Sequence, residues 1–256
     1  MNKDLEFFVE NKLATIVLNR PESYNSFNQN LREELRAVLK KVEDNSKILV
    51  VLLKGNGKGF SSGADLNEPF PPPISEHLAI EYKPIFEMII KSRLIFVSVV
   101  HGSAAGISSA LAMACDFMIM GENARISLIF SNLGLVPDGG STWLLERAMG
   151  YRKALEIIIE GKHITADQCL KFGLANKIVD EKILDEEAKK WALSLVKRAP
   201  LAMSASKQLL RNVSNINYLE AFDQEGKFQD KMSVSEDFFN ARISFLKKQK
   251  PQFKGK

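Results

Sequence analysis

An α/β fold with a helical C-terminal extension is what this chain's sequence predicts, on three observations. Short apolar runs alternate with helical patterns over the first part of the chain. From Gly139 onward the patterns are mainly helical. The run 48–53 is continuously apolar, of β-branched residues and leucine, and 96–100 is a further valine-rich run, as strands buried on both faces are.

The run 13–18 ends at Arg20-Pro21 and reads as a strand followed by a turn. Residues 28–42 carry Leu31, Leu35, Val38, Leu39 and Val42 at helical spacing, the pattern of an amphipathic helix. The strand 48–53 is bounded by Gly55, Gly57 and Gly59 and leads to a loop at 60–65. Phe70-Pro71-Pro72-Pro73 excludes a helix interior, because prolines remove donors and clash with the preceding turn; it reads as a mobile connection. Helical periodicity returns over 74–90. A strand at 96–100, a helix at 103–115 and a strand at 117–120 follow, then a further strand and turn after 121–125. Helices are expected at 144–149, 153–159, 166–172, 185–197, 200–213 and 235–247.

Composition narrows the class. Hydrophobic residues make up 45% and charged residues 26%, which supplies a core for one large domain or two small ones. The net charge of +4 is mild for a nucleic-acid binder. Much of the excess sits at Lys247, Lys248, Lys250, Lys254 and Lys256, which suits a solvated tail or an anionic ligand. Cys115 and Cys169 lie among apolar residues with no CxxC, as buried thiols of a cytoplasmic protein do. Residues 1–10 are charged and lack an apolar signal region. Residues 94–115 carry no formal charge and are long enough to span a bilayer, but His101, the serines, Gly102 and Gly106 break them into strand, turn and buried helix. His77, His101 and His163 are scattered, with no metal-ligand spacing, and no dinucleotide fingerprint occurs.

Three segments could carry chemistry. In the first, Phe60-Ser61-Ser62-Gly63-Ala64-Asp65-Leu66, a glycine among small residues after a strand lets backbone N–H groups approach a ligand; it is equally the sequence of any tight turn. The second runs from His101 through Gly106 and Ile107 to Ala110 and opens an apolar helix. A helix N-terminus favours an anion, and small residues there also serve close packing. In the third, residues 133–143, the only ionisable side chain is Asp138. Taken alone, Pro137-Asp138-Gly139 is a surface turn with a turn or N-cap aspartate.

In this order, and together with Asn19-Arg20-Pro21-Glu22, Asn25, residues 110–116, Gly173-Leu174-Ala175, Phe245, Lys248, Pro251 and Phe253, the segments resemble the crotonase (enoyl-CoA hydratase/isomerase) superfamily nearly end to end. The resemblance implies a ββα spiral core over residues 1–195 and a helical extension over 196–256, forming one structural unit that assembles as a homotrimer or dimer of trimers. It further implies an acyl-CoA substrate, with a coenzyme A thioester as substrate in place of a cofactor, no metal, no membrane and no nucleic acid. The Ala64 and Ile107 N–H groups would form an oxyanion hole for the thioester carbonyl. The family's hydratases carry two glutamates that activate water; the matching positions here are Ala110 and Phe130. Asp138 matches the acid/base carboxylate of one branch of Δ3,Δ2-enoyl-CoA isomerases and of isomerases acting on ring-epoxidised acyl-CoA.

One carboxylate is enough to shuttle a proton from the alpha to the gamma carbon of a 3-enoyl-CoA, which is the activity the resemblance implies. The alternatives are isomerisation of ring-derived epoxy or dienoyl acyl-CoA, enoyl-CoA hydration, and a non-catalytic CoA- or RNA-binding role. Phe130, Leu133 and Trp143 are expected to wall Asp138 from water. Ser26, Ser62, Gly63, Ala64, Asp65, Leu66 and Gly106 are expected along the substrate, with Phe245 and Lys248 at the nucleotide end, often supplied by a neighbouring subunit. Asp65 itself reads as a structural cap, His101 as a turn residue, Asp116 as a helix-end partner, and Glu68 as a residue that could approach the acyl pocket.

Overall fold

The computed structural model describes residues 4–69 and 72–256. Phe70 and Pro71 of the proline-rich connection lie outside the described residues. Strands β1 (Leu5–Glu10), β2 (Leu13–Leu18), β3 (Val50–Gly55), β4 (Ile95–Val100), β6 (Phe117–Gly121) and β9 (Lys177–Val179) form one sheet in the order β1-β2-β3-β4-β6-β9. Only the β1–β2 pair is antiparallel. A second sheet pairs β5 (Ser103–Ala105), β7 (Arg125–Ser127) and β8 (His163–Thr165).

Both faces of the large sheet are covered, so its inner strands are largely apolar and mostly buried. Val51 and Leu53 face one core with Leu31, Leu35 and Leu39 of α1 (Gln29–Asp44) and Ile85 and Ile89 of α3 (Lys83–Lys91). Val50 and Leu52 face a second core with Leu184, Ala188 and Ala192 of α8 (Leu184–Val196). This period-two partition turns the uniform run at 48–53 into two interfaces. The long helical pattern after the proline run resolves into α2 (Ile74–His77), a π-helical turn (Leu78–Tyr82) and α3.

Several expectations change. The helix expected from residue 103 begins at Ile107, as α4 (Ile107–Ala114), because residues 103–105 pair with β7 and Gly106, at φ +55°, breaks the backbone between them. Strand β1 was invisible because it lies at the sheet edge, with only Leu5 buried. Helix α10 (Tyr218–Ser233) was missed because none of its residues is buried; its signal is the capping box between Asn217 and Glu220. The remaining helices are α5 (Ser141–Met149), α6 (Tyr151–Glu160), α7 (Ala166–Lys171), α9 (Pro200–Val213) and α11 (Glu236–Leu246).

Residues 94–115 become β4, β5 and α4, and no helix among the described residues is long and apolar enough to cross a membrane. Helix α9 is bolted to the core. Lys207 Nζ donates to the Ile89 and Leu94 carbonyls at 2.9 and 2.8 Å and pairs with Asp116, which Arg211 also meets. The C-terminal segment is not a free tail: the buried Asp237 accepts the N–H groups of Lys254 (2.6 Å) and Gly255 (2.9 Å).

Candidate active site

The first loop is shaped by Asn25, fully buried at a positive φ, whose side-chain amide reaches the carbonyls of Asn56, Gly59 and Phe60 at 2.8–3.1 Å. Beyond it the chain joins β5. Ser61 N–H donates to Ser103 O (3.2 Å) and Ala105 N–H to Ser61 O (2.9 Å), a parallel bridge between Ser61 and Ala104. Past this bridge Gly63 lies against Ala105 and Gly106, which brings the residues that follow, Ala64 and Ile107, onto neighbouring segments. The two glycines allow it. A Cβ on Gly63, at φ +97°, would lie 2.7 Å from Ala105 O and 3.4 Å from Gly106 Cα.

Neither Ala64 N–H nor Ile107 N–H donates a hydrogen bond among the described residues. Ile107 opens α4, so its N–H has no partner in the helical ladder and sits at the positive end of the helix dipole. Two unused donors thus lie on neighbouring segments, which is the arrangement that can hold one oxyanion.

The third segment crosses in front of α4. Asp138 O accepts Ser141 N–H (3.0 Å) as α5 begins. Gly139, at φ +60°, is pressed against α4 and α3: a Cβ there would lie 2.7 Å from Ala110 Cβ, 3.1 Å from Phe86 Cζ and 3.2 Å from Ile107 Cγ1. Asp138 is thereby held next to the start of α4. Its Oδ1 is buried with no hydrogen-bond partner among the described residues, and so is the hydroxyl of Ser141 one turn on. Burial pushes the Asp138 carboxyl up to about 6, with its own backbone N–H opposing weakly. A carboxyl with one unpartnered oxygen, poised near neutral pH close to two spare N–H donors, can take and return a proton.

The contact of Gly139 makes a prediction. Gly139→Ala combines a left-handed φ with a sub-van-der-Waals approach to Ala110, so it should lower stability by about 1–3 kcal/mol. Chemical denaturation measures this, and a variant as stable as the parent would contradict the packing described here.

The other expected residues divide. Asp65 is structural: its carboxylate meets Asn67 N–H (3.1 Å), Arg20 (3.0 Å) and Ser26 (3.1 Å). Burial alone would raise this carboxyl, but these donors outweigh it and hold it below the ordinary carboxylate range. Ser26 spends its hydroxyl on Asp65 and its carbonyl on Arg20, so it is a strut of the loop and leaves no polar group to meet a ligand. Ser62 is exposed, its hydroxyl 3.3 Å from Ser23 O, and Leu66 is exposed beside it. Glu68 does not turn into the pocket: it pairs with Arg32 (2.9 Å) and accepts Gln29 N–H (2.6 Å). His101 Nε2 lies 2.9 Å from Gly57 O, as a turn residue should. Asp116 accepts Phe96 N–H at 2.9 Å.

The expected wall needs correction. Phe130 is buried, but Leu133 is exposed. Trp143 stands over the Arg147 guanidinium (3.7 Å) and lines a cleft of about 610 Å³ with Cys115, Asp116, Phe117 and Lys207, at the far end of α4. Helix α5 buries Ser141 and Leu145, one turn apart, so Trp143 between them points to the opposite side. Phe86 takes its place, packed on Gly139. The i, i+4 pair Tyr82 and Phe86, both buried on one helix face, was the available signal. Phe245 and Lys248 stand exposed at the end of α11, and the Lys248 side chain makes no ion pair among the described residues. Cys115 and Cys169 are buried thiols, each pushed up to about 12 by burial. Among the described residues no group of His, Cys, Asp and Glu side chains could hold a metal ion.

Comparison with known proteins converges on one family. The family model described as enoyl-CoA hydratase/isomerase matches residues 9–256. The 1,2-epoxyphenylacetyl-CoA isomerase of Escherichia coli K12 is 33% identical over 97% of each chain. The 2,3-dehydroadipyl-CoA hydratase of the same organism is 30% identical over 96% of this chain and 97% of its own length. A crystal structure of an enoyl-CoA hydratase from Polaromonas sp. JS666 superposes with a TM-score of 0.92 at 26% identity, covering 98% of this chain and 99% of that one. Both hydratase and isomerase names therefore occur among the relatives.

Proposed function

The chain belongs to the enoyl-CoA hydratase/isomerase family, and within it we propose that it is an isomerase, shifting the double bond of an acyl-CoA from the 3 to the 2 position through Asp138. The observation that carries the reading is the buried, unpartnered Oδ1 of Asp138 near the unused Ala64 and Ile107 N–H groups. Asp138 would take a proton from the alpha carbon of a 3-enoyl thioester. The negative charge then moves onto the thioester oxygen, where the two N–H groups stabilise it as a dienolate. The same carboxyl returns the proton at the gamma carbon, giving the conjugated 2-enoyl-CoA. A carboxyl raised to about 6 suits both halves of the shuttle, since it accepts a proton readily and gives it back.

Hydration is disfavoured for a steric as well as a chemical reason. The two positions matching the water-activating glutamates are Ala110 and Phe130, and Gly139 packs directly on the Ala110 methyl. The space that a carboxylate at 110 would need is filled by the loop that bears Asp138. A second reading is favoured by the 33% identical relative, named for a ring-epoxide acyl-CoA isomerase: the same carboxyl would act on a cyclic acyl group. Lys248 and Phe245 would reach the nucleotide of coenzyme A across a trimer contact. The exposed Tyr218, Leu219 and Phe222 on α10 offer an apolar face for such a contact.

The test is a product survey over linear 3-enoyl-, 2-enoyl- and ring-derived acyl-CoA thioesters, followed by ultraviolet absorbance and mass. The expected product is the isomer, with no mass gain of one water from a 2-enoyl-CoA. Rapid water addition to the 2-enoyl substrate would overturn the isomerase reading.

A further inference from the structure

Tyr82 belongs to the π-helical turn between α2 and α3, a type of distortion found frequently at functional sites. It is buried, with its ring edge-on to Phe27 at 6.3 Å and to His77 at 5.7 Å. Its hydroxyl lies 3.5 Å from Arg32 Nη1, which also donates to Phe27 O at 2.9 Å. Phe27 O accepts Asp65 N–H, and Asp65 is the neighbour of Ala64. One turn along the same helix face, Phe86 touches Gly139, the neighbour of Asp138. The Tyr82 hydroxyl is thus tied to the Ala64 side of the site, and its helix to the Asp138 side.

The oxygen is the acceptor in the contact with Arg32, so the hydroxyl hydrogen is left over, and it has no acceptor among the described residues. Arg32 is clamped by Glu68 and Glu81, so the donor is held firmly. Such a group costs free energy unless something accepts from it.

We infer that Tyr82 is a specificity-determining residue, whose hydroxyl donates a hydrogen bond to an oxygen carried on the acyl group of the substrate. The inference rests on the proposed acyl-CoA site and goes further, to the chemistry of the acyl group itself. Burial, with the charge of Asp138 adding to it and Arg32 opposing, pushes the phenol up to about 12, so it is protonated and able to donate across the physiological range. The Phe27 ring beside Tyr82 and the Phe86 ring packed on Gly139 suit a flat apolar body bearing that oxygen.

The experiment is calorimetric binding of phenylacetyl-CoA and of its 2-, 3- and 4-hydroxyphenyl counterparts to the whole protein and to Tyr82→Phe. None of these thioesters carries a double bond to shift, so the outcome is independent of whether Asp138 isomerises anything. At least one hydroxylated thioester should bind the parent about 5–20-fold tighter than phenylacetyl-CoA, as one net hydrogen bond provides. Tyr82→Phe should abolish that preference while phenylacetyl-CoA binds as before, which also reports an intact fold. The inference is overturned if the parent shows no preference, if the preference survives in Tyr82→Phe, or if both kinds of ligand weaken together.

Discussion

Replacing Asp138 with asparagine should reduce kcat on a 3-enoyl-CoA by about 10²–10⁴, the contribution of a positioned acid/base group, while making the protein more stable. Asparagine keeps the shape and loses the basic oxygen. The gain in stability follows from the direction of the shift. The folded carboxyl is raised from its ordinary 3.8 to about 6, so between these values the folded state binds more protons than the unfolded one. Stability therefore falls as pH rises through that window, and above about 6 the whole cost of the buried charge is present, up to about 3 kcal/mol. A neutral amide removes that charge. Activity has the opposite dependence, since the base must be ionised: kcat/KM should climb with pH to a plateau above about 6. Two measurements check this, a pH–rate profile of the parent and thermal melts of both proteins at pH 8. An asparagine variant with near-normal turnover, or one that melts lower at that pH, would remove Asp138 from the role assigned to it.

Ile107→Pro should cost about 10²–10³ in kcat with a small effect on stability, because it deletes one oxyanion donor where a proline fits. Ile107 is the first residue of α4, the helical position at which proline is tolerated because its N–H has no partner in the ladder. Gly106, before it, has no side chain to clash with the ring. The substitution therefore removes a single main-chain N–H, with a modest loss from trimming a buried isoleucine, and Ile107→Val separates the two effects by shrinking the side chain alone. A proline variant that folds and turns over at the parental rate would show that this N–H holds no developing charge. If valine were as damaging as proline, the effect would belong to packing against Gly139.

On its segment alone Asp138 read as a turn aspartate, and only the family resemblance singled it out as a candidate acid/base group, whereas Gly63 and Gly106 were legible as places where chains come close. What reached them was not legible. Ser26 is consumed by Asp65 and Arg20, Glu68 by Arg32, and Trp143 points to another cleft. Each of these depends on which helix or strand arrives opposite, and nothing in the spacing of neighbouring residues records it. Tyr82 and Phe86 were within a readable helical pattern, yet their value lies in facing residues 27 and 139, far away along the chain.

By itself the sequence determined the alternation of strands and helices, the doubly buried strands, the turn glycines and the lone carboxyl. These follow from periodicity and backbone sterics, which act over a few residues. Only the tertiary structure decided that the segments bearing Ala64 and Ile107 come together, that Gly139 fills the space over Ala110, and that one oxygen of Asp138 is buried. Sheet register and helix packing set those contacts, and a shift of register by one residue would have turned the same side chains to another face.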